Sequence, residues 1–157
     1  PLIEPAAIDA LLEPFATGHE QAVAQMTKRL EDYSTHLKPS VVKVVVDKEG
    51  FALYFSRAPI PHFRLDSSAE WPDNRPRQHP QSGLWPLRHI GLYAYTRATL
   101  LWLSSLPQTP LEITERLEQL RALENGCRIK VVEVEYQSIS VDTPEDLELV
   151  RRMMEEE

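Results

Sequence analysis

With 157 residues the chain is long enough for one domain with a sizeable core, and its net charge of −7 argues against a protein that grips nucleic acid, which needs a basic face. No apolar run of about 18 residues is present, so there is no candidate transmembrane helix, and a single cysteine, Cys127, excludes an internal disulfide or a multi-thiolate metal site. Five glycines, none within seven positions of another, build neither a Walker loop nor a G-x-G-x-x-G turn.

Pro5 to Phe15 reads as a short helix: Pro5 suits the first helical position, and Ile8, Leu11, Leu12 and Phe15 recur at spacings of 3 and 4. Gly18 would end it. Glu20 to Tyr33 is ambiguous, helix by propensity but equally able to open a strand at Ala22-Val23-Ala24. Two apolar runs, Val41 to Val46 and Phe51 to Ser56, flank the polar Asp47-Lys48-Glu49-Gly50 and predict a hairpin. Residues 59–86 hold six of the 13 prolines with no periodicity and read as a long loop, of the kind that is usually functional or disordered.

Arg88 to Tyr95 reads as a third strand, and alternation places His89, Gly91, Tyr93 and Tyr95 on one side of it. Thr96 to Leu106 predicts a short helix. Thr109-Pro110-Leu111-Glu112 is a helix start with hydroxyl cap, proline and capping-box glutamate, and the helix should run to Gly126 with Ile113, Leu117, Leu120 and Glu124 on one face. Ile129 to Val134 is a strand, Tyr136 to Val141 leads out of it, and Asp142-Thr143-Pro144 opens a final helix with an apolar stripe of Leu147, Val150 and Met154. The order predicts a three-layer α/β protein with a mixed sheet.

Three phrases, in this order, carry a family resemblance: Val41 to Asp47 (Val-Val-Lys-Val-Val-Val-Asp) with Ala52 to Pro61; Leu87 to Tyr95 with Leu117 to Glu124; and Val141-Asp-Thr-Pro-Glu-Asp-Leu147. Together they resemble the 3-deoxy-manno-octulosonate cytidylyltransferase (CMP-Kdo synthetase) family, from Pro1 to about Met153. The resemblance implies part of a nucleotide-diphospho-sugar transferase-like, Rossmann-like fold, and it favours a strand over Ala22 to Lys28. Residues 1–157 then correspond to a single partial domain, the C-terminal sugar-binding and dimerisation portion. The family's phosphate-binding loop, much of its cytidine pocket and a metal-binding Asp in a Gln-Gly-Asp-Glu-Pro phrase have no counterpart in these 157 residues. The loop 59–86 also looks longer than the family's usual version.

The implied reaction joins CTP and 3-deoxy-D-manno-octulosonate (Kdo) to give CMP-Kdo and pyrophosphate for lipopolysaccharide biosynthesis, with Mg²⁺ between the two anionic substrates. A homodimer in the cytoplasm, with no membrane insertion and no nucleic acid, is the implied setting. One cysteine fits a reducing compartment, and no secretory-type segment opens the sequence. Without a nucleotide-binding half the chain is expected to be inactive on its own. Two other readings stand beside this one: a cytidylyltransferase for another acidic sugar of the sialic acid type, and a non-catalytic dimerisation or binding module.

The resemblance assigns Asp142 to the metal; read alone, Asp142 reads more readily as part of the final helix cap, with Thr143 as the cap proper. It assigns Arg57, His89, Tyr93, Glu118 and Gln119 to the sugar. Read alone, His89 and Tyr93 are strand residues suited to packing, Arg57 a surface or interface arginine, and Glu118 and Gln119 solvated helix residues. His62, His79, Asp66 and Asp73 are too irregularly spaced to predict a metal cluster. Trp71 and Trp85 could pack over the sugar pocket or across a dimer interface.

Overall fold

The computed structural model describes residues 3–16, 23–30, 33–62, 86–135 and 144–155. Asp142, the segment Tyr136 to Val141 and most of the proline-rich loop, Trp71 and Trp85 included, lie outside the described residues.

Helix α1 (Pro5–Ala16) leads to β1 (Val23–Arg29), so the ambiguous segment is a strand. A single helical turn, α2 (Tyr33–His36), precedes the hairpin of β2 (Lys43–Val46) and β3 (Ala52–Ser56). The hairpin turn is an Asx turn: Asp47 Oδ1 accepts from the main-chain N–H of Glu49 and Phe51, each at 2.9 Å. Gly50 sits at φ 77°, where a side chain would be strained. Strand β4 (Leu87–Tyr95) is followed by α3 (Arg97–Ser105), α4 (Pro110–Glu115), α5 (Gln119–Glu124), β5 (Ile129–Glu133) and α6 (Pro144–Glu155).

The five strands form one sheet in the order β3-β2-β4-β1-β5, with β1 and β5 parallel and the other pairs antiparallel. Side chains of β1 alternate between two cores. Val23 joins Val44, Phe55, Ile129 and, from the α4–α5 side, Leu117 and Leu120. Ala24 and Met26 join Ile90 and, from α1, Ala7 and Leu11. Helices thus cover both sheet faces, and the mixed three-layer expectation holds.

Two expectations change. The stretch from Pro110 to Gly126 is two helices, because Arg116 adopts a left-handed backbone (φ 53°) and interrupts the hydrogen-bond ladder. Leu117 and Leu120 remain core residues while Ile113 is exposed. In α6 only Val150 of the expected stripe is buried; Leu147 and Met154 face outward.

Lys43 is the largest fully buried side chain among the described residues. Its Nζ donates to the carbonyls of Lys38, Val41 and Arg57 at 3.0, 2.7 and 2.5 Å, using every N–H an ammonium has. Burial pulls its pKa down, and the Glu115 carboxylate opposes that pull. A lysine in a valine run therefore stitches the edge of the sheet to residues 38–41.

Candidate functional site

The sheet face toward α3 and α5 opens into a cleft of about 340 Å³. Val23, Ile129, Tyr93 and Tyr95 form its floor. Leu100, Leu103 and Ser104 of α3 form one wall, and Glu118, Gln119 and Arg121 at the start of α5 form the other. A concave, largely apolar pocket with a few convergent polar groups is the usual form of a small-molecule site.

His89 stands behind Tyr93 on the same face of β4. Four residues along a regular strand span about 13 Å, too far for contact. A bulge closes that distance. Tyr93 pairs with Gln25, Ile90 with Met26 and His89 with Thr27, so three residues of β1 lie opposite five of β4, and Gly91 and Leu92 are the excess. The result is a hydrogen bond of 2.6 Å between His89 Nε2 and Tyr93 Oη. Tyr93 stacks on Tyr95 with ring centroids 5.8 Å apart, and Phe55 meets His89 edge-on.

Burial, helped by the Arg88 charge, lowers the His89 pKa to about 4. Burial raises the Tyr93 phenol, reinforced by Tyr95 and the Glu118 carboxylate; burial and Glu118 raise Tyr95 as well. At neutral pH the floor therefore offers uncharged hydrogen-bonding groups.

Gln119 Nε2 is buried with no hydrogen-bond partner among the described residues. Such an orphaned amide is costly in a dry interior and calls for a partner, and Gln119 is one of the residues that line the cleft. Arg121 is already engaged: Nε and Nη2 grip Glu112 at 2.8 and 2.5 Å, and Nη1 reaches toward the carbonyls of Leu103 and Leu106. Its charge is neutralised inside the cleft wall; the pair fastens α4 to α5, and Nη1 of Arg121 ties in the end of α3.

Among the residues expected at the sugar, Tyr93, Glu118 and Gln119 line the cleft, and His89 joins through Tyr93. Arg57 does not line it. Its guanidinium donates to the carbonyls of Glu115, Pro39 and Arg116 at 2.9, 3.2 and 3.4 Å. Asp142 lies outside the described residues. Among the described residues, no three His, Cys, Asp or Glu side chains stand together as a metal site.

A cytidylyltransferase family profile matches residues 1–131. The chain belongs to the cytidylyltransferase family. A 3-deoxy-manno-octulosonate cytidylyltransferase of Geobacter sulfurreducens is 48% identical over 150 residues, covering 96% of this chain and 58% of that protein. One of Solibacter usitatus is 52% identical over 153 residues, covering 98% of this chain and 55% of that protein. The solved structure of a CMP:2-keto-3-deoxy-manno-octonic acid synthetase complexed with CTP superposes with a TM-score of 0.81 at 35% identity, over 99% of this chain and 58% of that one. The chain thus spans a little over half the length of the cytidylyltransferases it matches.

Within this cytidylyltransferase chain, sequence reasoning missed Tyr95 as cleft floor and the Glu112–Arg121 pair. Tyr95 had a signal, since alternation put it beside Tyr93. The ion pair had none: on one continuous helix residues nine apart point in opposite directions, and the break at Arg116 brings them together.

Proposed function

We propose that this chain supplies the sugar side of a cytidylyltransferase that transfers CMP from CTP to Kdo, releasing pyrophosphate, in lipopolysaccharide biosynthesis. One observation carries the reading: Gln119, whose amide nitrogen is buried and unpartnered among the described residues, lines a cleft together with Glu118 and the His89-backed Tyr93. In this reading the Gln119 N–H donates to a sugar oxygen, Glu118 accepts from sugar hydroxyls, and Tyr93 donates or accepts as its contact with His89 allows. Glu118 repels the Kdo carboxylate and so turns it away from α5. Arg57 has five N–H donors and three carbonyl partners, which leaves two for a carboxylate or hydroxyl. Held in this way, the anomeric hydroxyl has little freedom left to lose on meeting the α-phosphorus of CTP.

Magnesium, which the family resemblance places on Asp142, would offset the repulsion between triphosphate and sugar carboxylate when bound. Among the described residues no three His, Cys, Asp or Glu side chains stand together to hold it, and Asp142 lies outside them. The test is a chimera joining this chain to the N-terminal part of the Geobacter sulfurreducens relative. It should make CMP-Kdo from CTP and Kdo and not use sialic acid, while the 157-residue chain alone makes none. Preference for sialic acid, or an inactive chimera that is folded, would overturn the reading. In the active chimera Asp142→Asn should lower turnover at least about tenfold and raise the Mg²⁺ needed for half-maximal rate. Unchanged kinetics would remove Asp142 from the metal site.

A cytoplasmic homodimer belongs to the same reading. No helix among the described residues is long and apolar enough to cross a membrane. Leu53 on the edge strand β3 is 61% exposed, and Leu100, Leu101 and Trp102 of α3 also face outward. Leu53→Lys is expected to convert a dimer to a monomer in sedimentation equilibrium. A monomeric wild type, or a variant that stays dimeric, would contradict this.

A further inference from the structure

We propose that Glu115, outside the cleft, is a positioning residue for the sugar site: its carboxylate clamps the end of α4 onto β3 and thereby sets the direction in which α5 presents Gln119. The inference rests on the sugar-site reading above.

The clamp is built from both sides. Glu115 Oε1 accepts from Ser56 Oγ at 2.5 Å and from Tyr54 Oη at 3.5 Å, and Oε2 accepts from the Arg57 main-chain N–H at 3.0 Å. The Glu115 carbonyl in turn accepts from Arg57 Nε. Burial raises the carboxyl pKa, but the hydrogen bonds from Arg57, Ser56 and Tyr54 outweigh it, so the group stays ionised. The next residue, Arg116, holds a left-handed backbone that a side chain disfavours, and its carbonyl is also tied by Arg57. Such a conformation persists only where the surroundings over-determine it. Three residues later comes Gln119, with its buried and unpartnered amide. Leu117 and Leu120 lock the same turn into the core. The path from Ser56 to the cleft is thus one short run of main chain, fixed at Glu115 and free at the Gln119 amide.

The test is Kdo affinity of the 157-residue chain by calorimetry. Glu115→Ala should weaken Kdo binding about tenfold. Glu115→Gln should restore it to within about twofold, because an amide oxygen still accepts from the Arg57 N–H and the amide NH₂ can donate to Ser56. In a Gln119→Ala background, Glu115→Ala should change affinity less than about twofold, since the group it positions is gone. A general structural role would instead weaken both backgrounds equally. If Glu115→Ala does not fold, Ser56→Ala, which removes the shortest bond to the carboxylate, gives the same comparison. Kdo affinity unaffected by loss of the clamp, or lowered equally in both backgrounds, overturns the inference. Affinity unaffected by Gln119→Ala overturns the sugar-site reading and the inference with it.

Discussion

Replacing Glu112 with alanine is expected to destabilise the folded chain by about 3 kcal/mol. Glu112 is 2% exposed and bonds Arg121 through both carboxylate oxygens. It also accepts from the Thr109 main-chain N–H at the start of α4 and from Gln108 Nε2. Truncation leaves a guanidinium in the wall of the cleft without its counter-charge and removes the capping contact. The larger part of the loss is the stranded charge, so the double variant Glu112→Leu with Arg121→Met should recover most of it. Urea unfolding of the two variants measures this. A double variant as unstable as Glu112→Ala would show that the loss comes from capping and packing instead. Glu112 orients Arg121, whose Nη1 bonds the end of α3 beside the cleft, so Glu112→Ala should also weaken Kdo binding wherever the chain stays folded.

Acidification should destabilise the chain before its carboxylates titrate. His89 has a folded pKa of about 4, pushed down by burial and by Arg88. In the unfolded chain it binds a proton below about pH 6.5, but in the folded chain it stays neutral to about pH 4. Its contribution is therefore complete above pH 6.5 and falls away as the pH drops, by on the order of 3 kcal/mol at pH 4. Burial and the Lys43 charge shift His36 in the same direction. Glu112 and Glu115 are held below the ordinary carboxylate range by their hydrogen-bond partners, so their losses come at lower pH. Between about pH 6.5 and 4.5 the histidines dominate. The urea midpoint of the wild type should fall over that interval, and His89→Phe should flatten the decline. An equally steep decline in His89→Phe would place the titration elsewhere.

Much of the fold could be read from residue pattern. The Val41–Val46 and Phe51–Ser56 runs gave the hairpin, and the Thr109-Pro110-Leu111-Glu112 signal marked a helix start. Two features of the site were hidden because their cause is tertiary. No glycine or proline marks the break at Arg116; it exists because Glu115 and Arg57 hold the chain there from β3. Alternation along β4 put His89 and Tyr93 on one face, yet a regular strand would leave them apart. Only the register with β1 reveals the bulge that joins them. Nothing in the Val41 to Val46 run marks Lys43 as buried; the carbonyls of Lys38 and Val41, just before it, and of Arg57, after β3, make its burial tolerable. The family resemblance supplied Glu118 and Gln119, which no periodicity would have separated from solvated helix residues.

The most direct measurement is a titration of Kdo into nitrogen-15-labelled chain, following the side-chain amide of Gln119 by NMR. The account predicts that this resonance and the main-chain amides of Tyr93 and Glu118 shift along one saturable curve, while those of the hairpin turn at Lys48 and Gly50 stay in place. A Gln119 amide that does not move at saturating Kdo, or saturable shifts confined to another surface, would contradict it.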